Sequence, residues 1–372
     1  MHKKGNQDRE QMKMIRKIGM AIIVLIIIAM TLFIGIVMVT GQGKIQKFYG
    51  TDGKELPNSI AERTYVDING RKNGMIIRGK SMDNPVLLFI SGGPGVPQYW
   101  LNEYYENQIE DDFTVCWWDW AGEGLSYDAS MQPEDITIDS LCKDAKEVAK
   151  YLRNRFGKEK VYLMAHSGGT PLGLKLAETD AEDFYCYFGM GQYVNDRGSR
   201  YTEGYQYMKE YFTKTNDIKS LTKLQTLMQK EADGVMRPVD EESIGNPWEG
   251  LLLKAGCGTT RQMRSDAIEI FFPQMFSHCY TLPEKINFWK GKALNQKSAY
   301  SKYSPTIQNE KAVIPVYFIS GRYDYTCPVT LTEKLYENLE APDKGMYIFE
   351  NSAHSPLWEE NEKVLQVMKD FK

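Results

Sequence analysis

Lys160–Thr170 reads KVYLMAHSGGT, and the stretch that follows, PLGLKLAE, has the look of a helix. Val161–Ala165 is apolar on both faces, so it predicts a buried strand. The strand stops at Ser167, with Gly168 and Gly169 directly after it. Small neighbours are what a sharp strand-to-helix turn needs, because its backbone is strained and crowded. The usual pattern for such a turn is G-x-S-x-G, and here Ala165 stands in the first glycine's place. Alanine is small enough to serve there. The turn makes Ser167 a candidate nucleophile, against the alternative of a structural glycine-rich loop.

The surrounding chain repeats the same strand-then-turn rhythm. PVLLFI (Pro85–Ile90) runs into SGGPG, and FTVCWWDW (Phe113–Trp120) runs into AGEGLS. YCYFGMG (Tyr185–Gly191), AVIPVYFIS (Ala312–Ser320) and GMYIFE (Gly345–Glu350) come later. Helical periodicity lies between them. Ile138, Leu141, Ala145, Val148 and Leu152 form one stripe over Ile138–Phe156, and Val329–Leu339 and Glu362–Phe371 read similarly. Upstream, alternating residues around Asn69-Gly70 predict a hairpin. Strands alternating with helices predict an α/β doubly wound, mainly parallel sheet with helices on both faces. Residues 195–308 break the rhythm: SRYTEGYQYMKEYFTK, SLTKLQTLMQKEA and TTRQMRSDAIEIFFPQMF read as helices. They predict a helical cap inserted between core parts 61–194 and 309–372.

Composition excludes some classes of function. The chain has 372 residues, 42% hydrophobic, enough for a large core. A net charge of −4 without a basic block argues against nucleic acid as a partner. The six cysteines have no zinc-like spacing, and only Cys257 and Cys279 are candidates to pair.

Ile18–Val39 is 22 residues without a charge. At a rise of ~1.5 Å per residue it spans a bilayer core of roughly 30 Å. It is too long for a signal peptide's apolar segment, and VMVTGQG makes a poor cleavage site. Lys3, Lys4, Arg9, Lys13, Arg16 and Lys17 precede it, against Asp8 and Glu10. The positive-inside rule then predicts a cytoplasmic tail over 1–17, a transmembrane anchor over 18–40, a linker over 41–60 and an extracytoplasmic catalytic domain. The lipid bilayer is thus an expected partner of the cell-membrane protein.

A serine nucleophile needs a base, and the chain has four histidines. His2 is in the tail. His166 adjoins Ser167, and consecutive residues at such a turn point apart. His278 lies in the helical insertion. His354, in ENSAHSP, follows the last strand. An orienting acid belongs between serine and histidine in the order Ser…Asp/Glu…His. Asp324, in FISGRYDYTCP, follows a strand and occupies that interval. Each of the three falls at the C-terminal end of a strand, the edge where open α/β sheets bind ligands. The SGGPG loop (Ser91–Gly95) supplies backbone N–H groups able to meet an oxyanion, and the N–H of Gly168 is the expected second donor.

LLFISGGPG, DWAGEGLS, AHSGG, SGRYD and SAHSP together resemble the α/β-hydrolase family of proline iminopeptidases and their relatives. The resemblance covers the chain from about Ile60 to its end. It implies the α/β-hydrolase fold, with Ser167 as nucleophile, Asp324 as acid and His354 as base. Gly93 and Gly168 match the oxyanion-hole positions. Three positions depart from the family. Ser91 replaces its usual histidine, Ala165 replaces the turn glycine, and Gly168 replaces a large aromatic residue. The last of these is expected to leave the substrate pocket open.

These readings predict a membrane-anchored serine hydrolase that cleaves an amide or ester in a small molecule or short peptide, without metal or cofactor. Aminopeptidase activity would need cap carboxylates for a terminal ammonium. Glu203, Glu210, Glu231, Asp266 and Glu269 are the candidates, each otherwise a solvated helix face. A carboxylesterase of small esters and a catalytically degenerate binding protein are the alternatives. Dehalogenase and epoxide hydrolase chemistry is disfavoured, because those relatives carry Asp at the turn.

Overall fold

Two antiparallel strands open the sheet, β1 (Ile60–Ile68) and β2 (Arg71–Gly79), in unbroken register from Ile60↔Gly79 to Ile68↔Arg71. Asn69 and Gly70 join them with φ of 52° and 77°. Two left-handed residues make the turn whose twist matches the strands, and Asn-Gly is the pair that tolerates it. The computed structural model describes residues 2–93, 95–105, 107–230, 235–239, 247–303, 305 and 310–371, the side chains of 2–11 and 197 apart.

The remaining sheet strands are β3 (Val86–Ile90), β4 (Thr114–Asp119), β5 (Val161–His166), β6 (Phe184–Met190), β7 (Val316–Gly321) and β8 (Lys344–Phe349). Their order is β1-β2-β4-β3-β5-β6-β7-β8, and every pair from β4 onward is parallel. Residues alternate between the two faces. Leu88 and Ile90 join one core with Leu163 and Phe318, while Leu87 and Phe89 join the other with Met164 and Ile319. Burial on both faces is why these strands are apolar without interruption.

Helix Ile138–Phe156 starts where Thr137 Oγ1 accepts the Ser140 N–H at 3.0 Å and stops at Gly157, φ 62°. Its stripe of Leu141, Ala145, Val148 and Leu152 is buried against the sheet. Each leucine or valine removed from water there stabilises the fold by about 1.5–3 kcal/mol.

Between β6 and β7 the chain forms helices Arg197–Lys214, Ile218–Leu227, Pro247–Lys254, the apolar helix Ala267–Phe276 and Leu282–Gln296. Met208, Phe212, Leu224, Trp248 and Leu252 give this region a core of its own. Two expectations need correction. The helix read through 220–232 ends at Leu227, and Met228–Lys230 instead pairs with Met236–Pro238 as a small antiparallel ribbon. The helix read through 259–276 begins only at Ala267. Side chains intercept the backbone before it: Glu359 takes the N–H of Arg261, and Glu269 takes those of Arg264 and Ser265.

The N-terminal helix runs from His2 to Thr40. Among the described residues, its segment Met12–Thr40 is the one helix long and apolar enough to cross a membrane. All six cysteines are free, so the candidate pair does not form. Cys257 Sγ donates to the Leu252 carbonyl, and Cys279 lies against Ser277 Oγ.

Candidate active site

β5 delivers Ser167 at φ 52°. A side-chain-bearing residue in the left-handed region costs roughly 1–2 kcal/mol, and such strain persists only where packing enforces it. One tight turn, Ser167–Gly169, then enters helix Thr170–Thr179, with Pro171 in its first turn. The helix crosses β5 closely at Ala165: a Cβ on Gly173 would sit 2.8 Å from the Ala165 Cβ. Gly173 therefore supplies the clearance that the missing turn glycine would otherwise have given.

Gly168 has a packing role that the sequence did not show. A Cβ there would lie 2.8 Å from the Gly93 carbonyl oxygen. The glycine secures close approach of the Ser91–Gly95 loop, and it also lines the cavity. Gly93 and Gly168 both line one cavity with Ser167 and His354. Among the described residues, neither glycine N–H meets an acceptor.

Glu123 holds that loop at both ends. Its carboxyl accepts the Ser91 hydroxyl at 2.8 Å and the Gly95 N–H at 2.9 Å. The residue is fully buried. Burial, with Asp119 adding to it, pushes the carboxyl well above its ordinary value. Ser91 thus replaces the family's histidine with a short donor to an internal acid. Asp119 accepts from the Leu125 N–H and the Tyr280 hydroxyl, and burial pushes it up to about 7.

His354 follows β8, and its Nδ1 lies 2.8 Å from Asp324 Oδ2. Asp324 follows β7, is buried, and accepts the N–H groups of Thr326 and Cys327 at 2.9 and 2.7 Å on its other oxygen. A carboxylate fixed this way accepts a hydrogen bond from the Nδ1–H of the imidazole, leaving Nε2 as the acceptor. The Ser167 hydroxyl and His354 share the cavity without a hydrogen bond between them. Catalytic hydrogen bonds in unliganded sites are often long and tighten on substrate binding.

His166 does not serve Ser167. It is fully buried, its Nε2 lies 2.9 Å from the His354 carbonyl, and its ring lies tilted against that of His354 with centroids 4.7 Å apart. Burial, then the neighbouring His354, pushes its pKa well below the ordinary value. Glu359 ties down the same loop by accepting the Ala353 N–H at 2.9 Å, and burial pushes its pKa up to about 7. Sequence reasoning missed Glu123, His166 and Glu359 as supports. Only Glu123 left a signal, as a lone acid inside AGEGLS.

The cavity encloses about 570 Å³. The inserted region contributes Glu249, Leu253, Asp266, Ile270, Trp289 and Lys292 to its wall. Of the cap carboxylates named from sequence, Asp266 alone reaches it. Glu203 is held by the Thr330 hydroxyl, Glu269 caps Arg264 and Ser265, and Glu210 is exposed on its helix. Glu231 lies outside the described residues. Glu249, unnamed from sequence, joins Asp266 and pairs with Arg200 at 2.9 Å. Partial burial, then Glu249, holds the Asp266 carboxyl above the ordinary carboxylate value.

An eight-stranded sheet in this order, with a strained serine after its fifth strand, defines the α/β hydrolases. The chain belongs to that family: the sequence model of the alpha/beta hydrolase fold matches residues 85–361. Relatives narrow the class. The chain is 29% identical over 305 residues to the "Probable aminopeptidase YbaC" of Bacillus subtilis, covering 81% of this chain and 93% of that one. It is 25% identical to the proline iminopeptidase of Saccharolobus solfataricus, covering 77% and 84%. Among solved structures, the proline iminopeptidase of Mycobacterium smegmatis shares the fold with a TM-score of 0.56, at 13% identity, over 83% of this chain and 97% of that one. The protein is a hydrolase, similar to aminopeptidases of the proline iminopeptidase kind.

Proposed function

We propose that the chain is a membrane-anchored serine hydrolase acting on an aminoacyl bond, as an aminopeptidase of the proline iminopeptidase type does. One observation carries the reading. Ser167 is held in a strained turn on the cavity shared with His354, whose Nδ1 is 2.8 Å from buried Asp324. In this reading the Ser167 hydroxyl attacks the scissile carbonyl while His354 Nε2 takes its proton. The N–H groups of Gly93 and Gly168 receive the oxyanion. His354 then protonates the leaving group, and water resolves the acyl-enzyme. Asp266 and Glu249 supply two carboxylates for the substrate's terminal ammonium, which supports an aminopeptidase over a simple esterase. Residues 195–308 act as the cap that carries them.

Retention of the N-terminal helix as an anchor is supported by its last turns, where Val37 is fully buried against the folded domain. The basic tail supports a cytoplasmic N-terminus and an extracytoplasmic catalytic domain, so protease added to intact cells reaches that domain.

The test is a fluorophosphonate probe applied to the full chain, beside hydrolysis of proline and alanine arylamides and of short-acyl aryl esters. Wild type is expected to label and turn over, and Ser167→Ala to do neither, with turnover down by about 10³-fold or more. A folded wild type that resists the probe would make the protein a binder rather than an enzyme.

A further inference from the structure

Phe33 of the N-terminal helix packs against three rings of the helix Ala267–Phe276. Centroid distances are 6.3 Å to Phe271, 6.0 Å to Phe272 and 5.8 Å to Phe276. Phe271 in turn meets Trp289 at 5.7 Å, and Trp289 lines the catalytic cavity. An unbroken aromatic path therefore joins the candidate anchor to the site.

The same face is open to solvent where it is most apolar. Ile268 is 67% exposed, Ile286 44%, Trp289 42% and Phe272 38%. Ile268 and Phe271 lie on the π-helical turn Ala267–Phe271 and Phe272 opens the α-helical turn after it, while Ile286 and Trp289 share a face of helix Leu282–Gln296. A contiguous apolar patch on a soluble surface marks an interaction site. Depth identifies what covers it. Phe33 precedes the end of the apolar run by six residues, about 9 Å along the helix. The whole run measures about 33 Å against a hydrocarbon core of roughly 30 Å, which leaves no length to lift Phe33 out. The end of the helix is also clamped to the domain. A Cβ on Gly41 would collide with Lys285 Nζ and the Tyr280 carbonyl, and the Lys44 N–H donates to the His278 carbonyl at 3.1 Å. Rings packed on Phe33 therefore sit below the outer surface of the bilayer.

We propose that the face of Ala267–Phe276 and Trp289 is a second membrane contact, seated in the outer leaflet, and that it opens the catalytic cavity to substrates held there. The inference rests on the anchored, aminoacyl-directed reading above and names its substrate class: an aminoacyl ester or amide of a membrane amphiphile. Asp266 stands directly before Ala267 on the cavity wall, and with Glu249 it holds the substrate's ammonium. The apolar leaving group remains on the Ile270 and Trp289 side. Ser167 Oγ forms the bond to the aminoacyl carbon, and the bond to the leaving oxygen or nitrogen breaks. His354 returns its proton to that atom, and water then releases the free amino acid.

The test uses the full chain in phosphatidylcholine vesicles, with the hexadecyl and ethyl esters of alanine as the bilayer-held and soluble probes. Ile268→Asp/Ile286→Asp is expected to cut hydrolysis of the hexadecyl ester at least tenfold and to leave the ethyl ester within twofold. An equal effect on both esters, or none, overturns the proposal. A readout free of catalysis comes from a polarity-sensitive fluorophore on Ile268→Cys in the otherwise wild-type chain. Its emission should shift to the blue and be quenched by spin-labelled lipid, whereas the same label at Lys311→Cys, before the N-terminal end of β7, should not respond. Matching emission at the two positions also overturns it. Flotation keeps the readings apart. Chain that fails to float with vesicles refutes the anchor. Chain that floats and takes the fluorophosphonate, yet hydrolyses neither ester, refutes the substrate class alone.

Discussion

Asp324 and Asp266 serve one cavity from its two sides, and the protein holds them in opposite ways. Asp324 stands behind the sheet edge, 1% exposed, with two backbone N–H groups on one oxygen and His354 on the other. Asp266 projects from the inserted region, open to the cavity, and meets no hydrogen-bond donor among the described residues. The same contrast runs through their neighbours. On the sheet side, Glu123 and Glu359 are carboxyls committed to backbone N–H groups and a serine hydroxyl. On the inserted side, Glu249 is half exposed and shared with Arg200. The sheet edge is preorganised in the manner that electrostatic stabilisation of a transition state requires. The inserted wall leaves Asp266 without a donor among the described residues and Glu249 half exposed beside Arg200, an arrangement with room for a charged group.

Replacing each aspartate by its amide is the sharpest way to break that comparison. Asp324→Asn keeps the shape but offers an N–H where His354 needs an acceptor. The wrong imidazole tautomer follows, and kcat should fall by roughly 10³–10⁴-fold on esters and aminoacyl substrates alike. A loss under tenfold would mean that Asp324 does not orient the base.

Asp266→Asn and Glu249→Gln should act on one substrate class only. Losing an ion pair to the ammonium is expected to raise KM for alanine or proline arylamides by about 10–100-fold, an effect of uniform binding. Short-acyl esters without an amine should keep their kcat/KM within about threefold, as they make no such pair. Parallel losses on both would move these carboxylates from recognition to structure.

The contrast also decides what could be read before the structure was seen. The sheet strands themselves, the hairpin at Asn69-Gly70, helix Ile138–Phe156 and the places of Ser167, Asp324 and His354 were legible, because buried strands and turn glycines write strong local patterns. The supports were not. Glu123 and His166 act across 28 or more residues, and Glu359 joins Ala353 nearby to Arg261 far away, through contacts that no local period records. The packing role of Gly168 was hidden for a related reason, since its partner Gly93 is distant in sequence and close only in space. In the inserted region the helix expected over 259–276 failed in its first half, where Glu359 and Glu269 capture the backbone donors. Glu249 went unnamed because nothing around it signals that Arg200 and Asp266 converge on it.

The smallest expected effect concerns stability, and it tests whether the sheet side stores its acids neutral. Burial raises Asp119 from 3.8 to about 7 and Glu359 from 4.5 to about 7. A carboxyl with a raised folded value favours the fold when protonated. That contribution is complete below the unfolded values near 4 and is lost as pH climbs through about 7. The melting temperature should therefore fall between pH 5 and pH 8, even though the chain as a whole carries a modest net charge. Asp119→Asn mimics the protonated acid in being neutral, with one oxygen to accept and an NH2 group to donate. It should flatten that slope and leave the variant the more stable of the two at pH 8, by roughly 5 °C. The active-site loops report the same titration, because Asp119 shares its buried environment with Glu123, which holds Ser91 and Gly95. A slope unchanged in Asp119→Asn would mean that water reaches this carboxyl, and the sheet side would then be less closed than the inserted wall it is contrasted with.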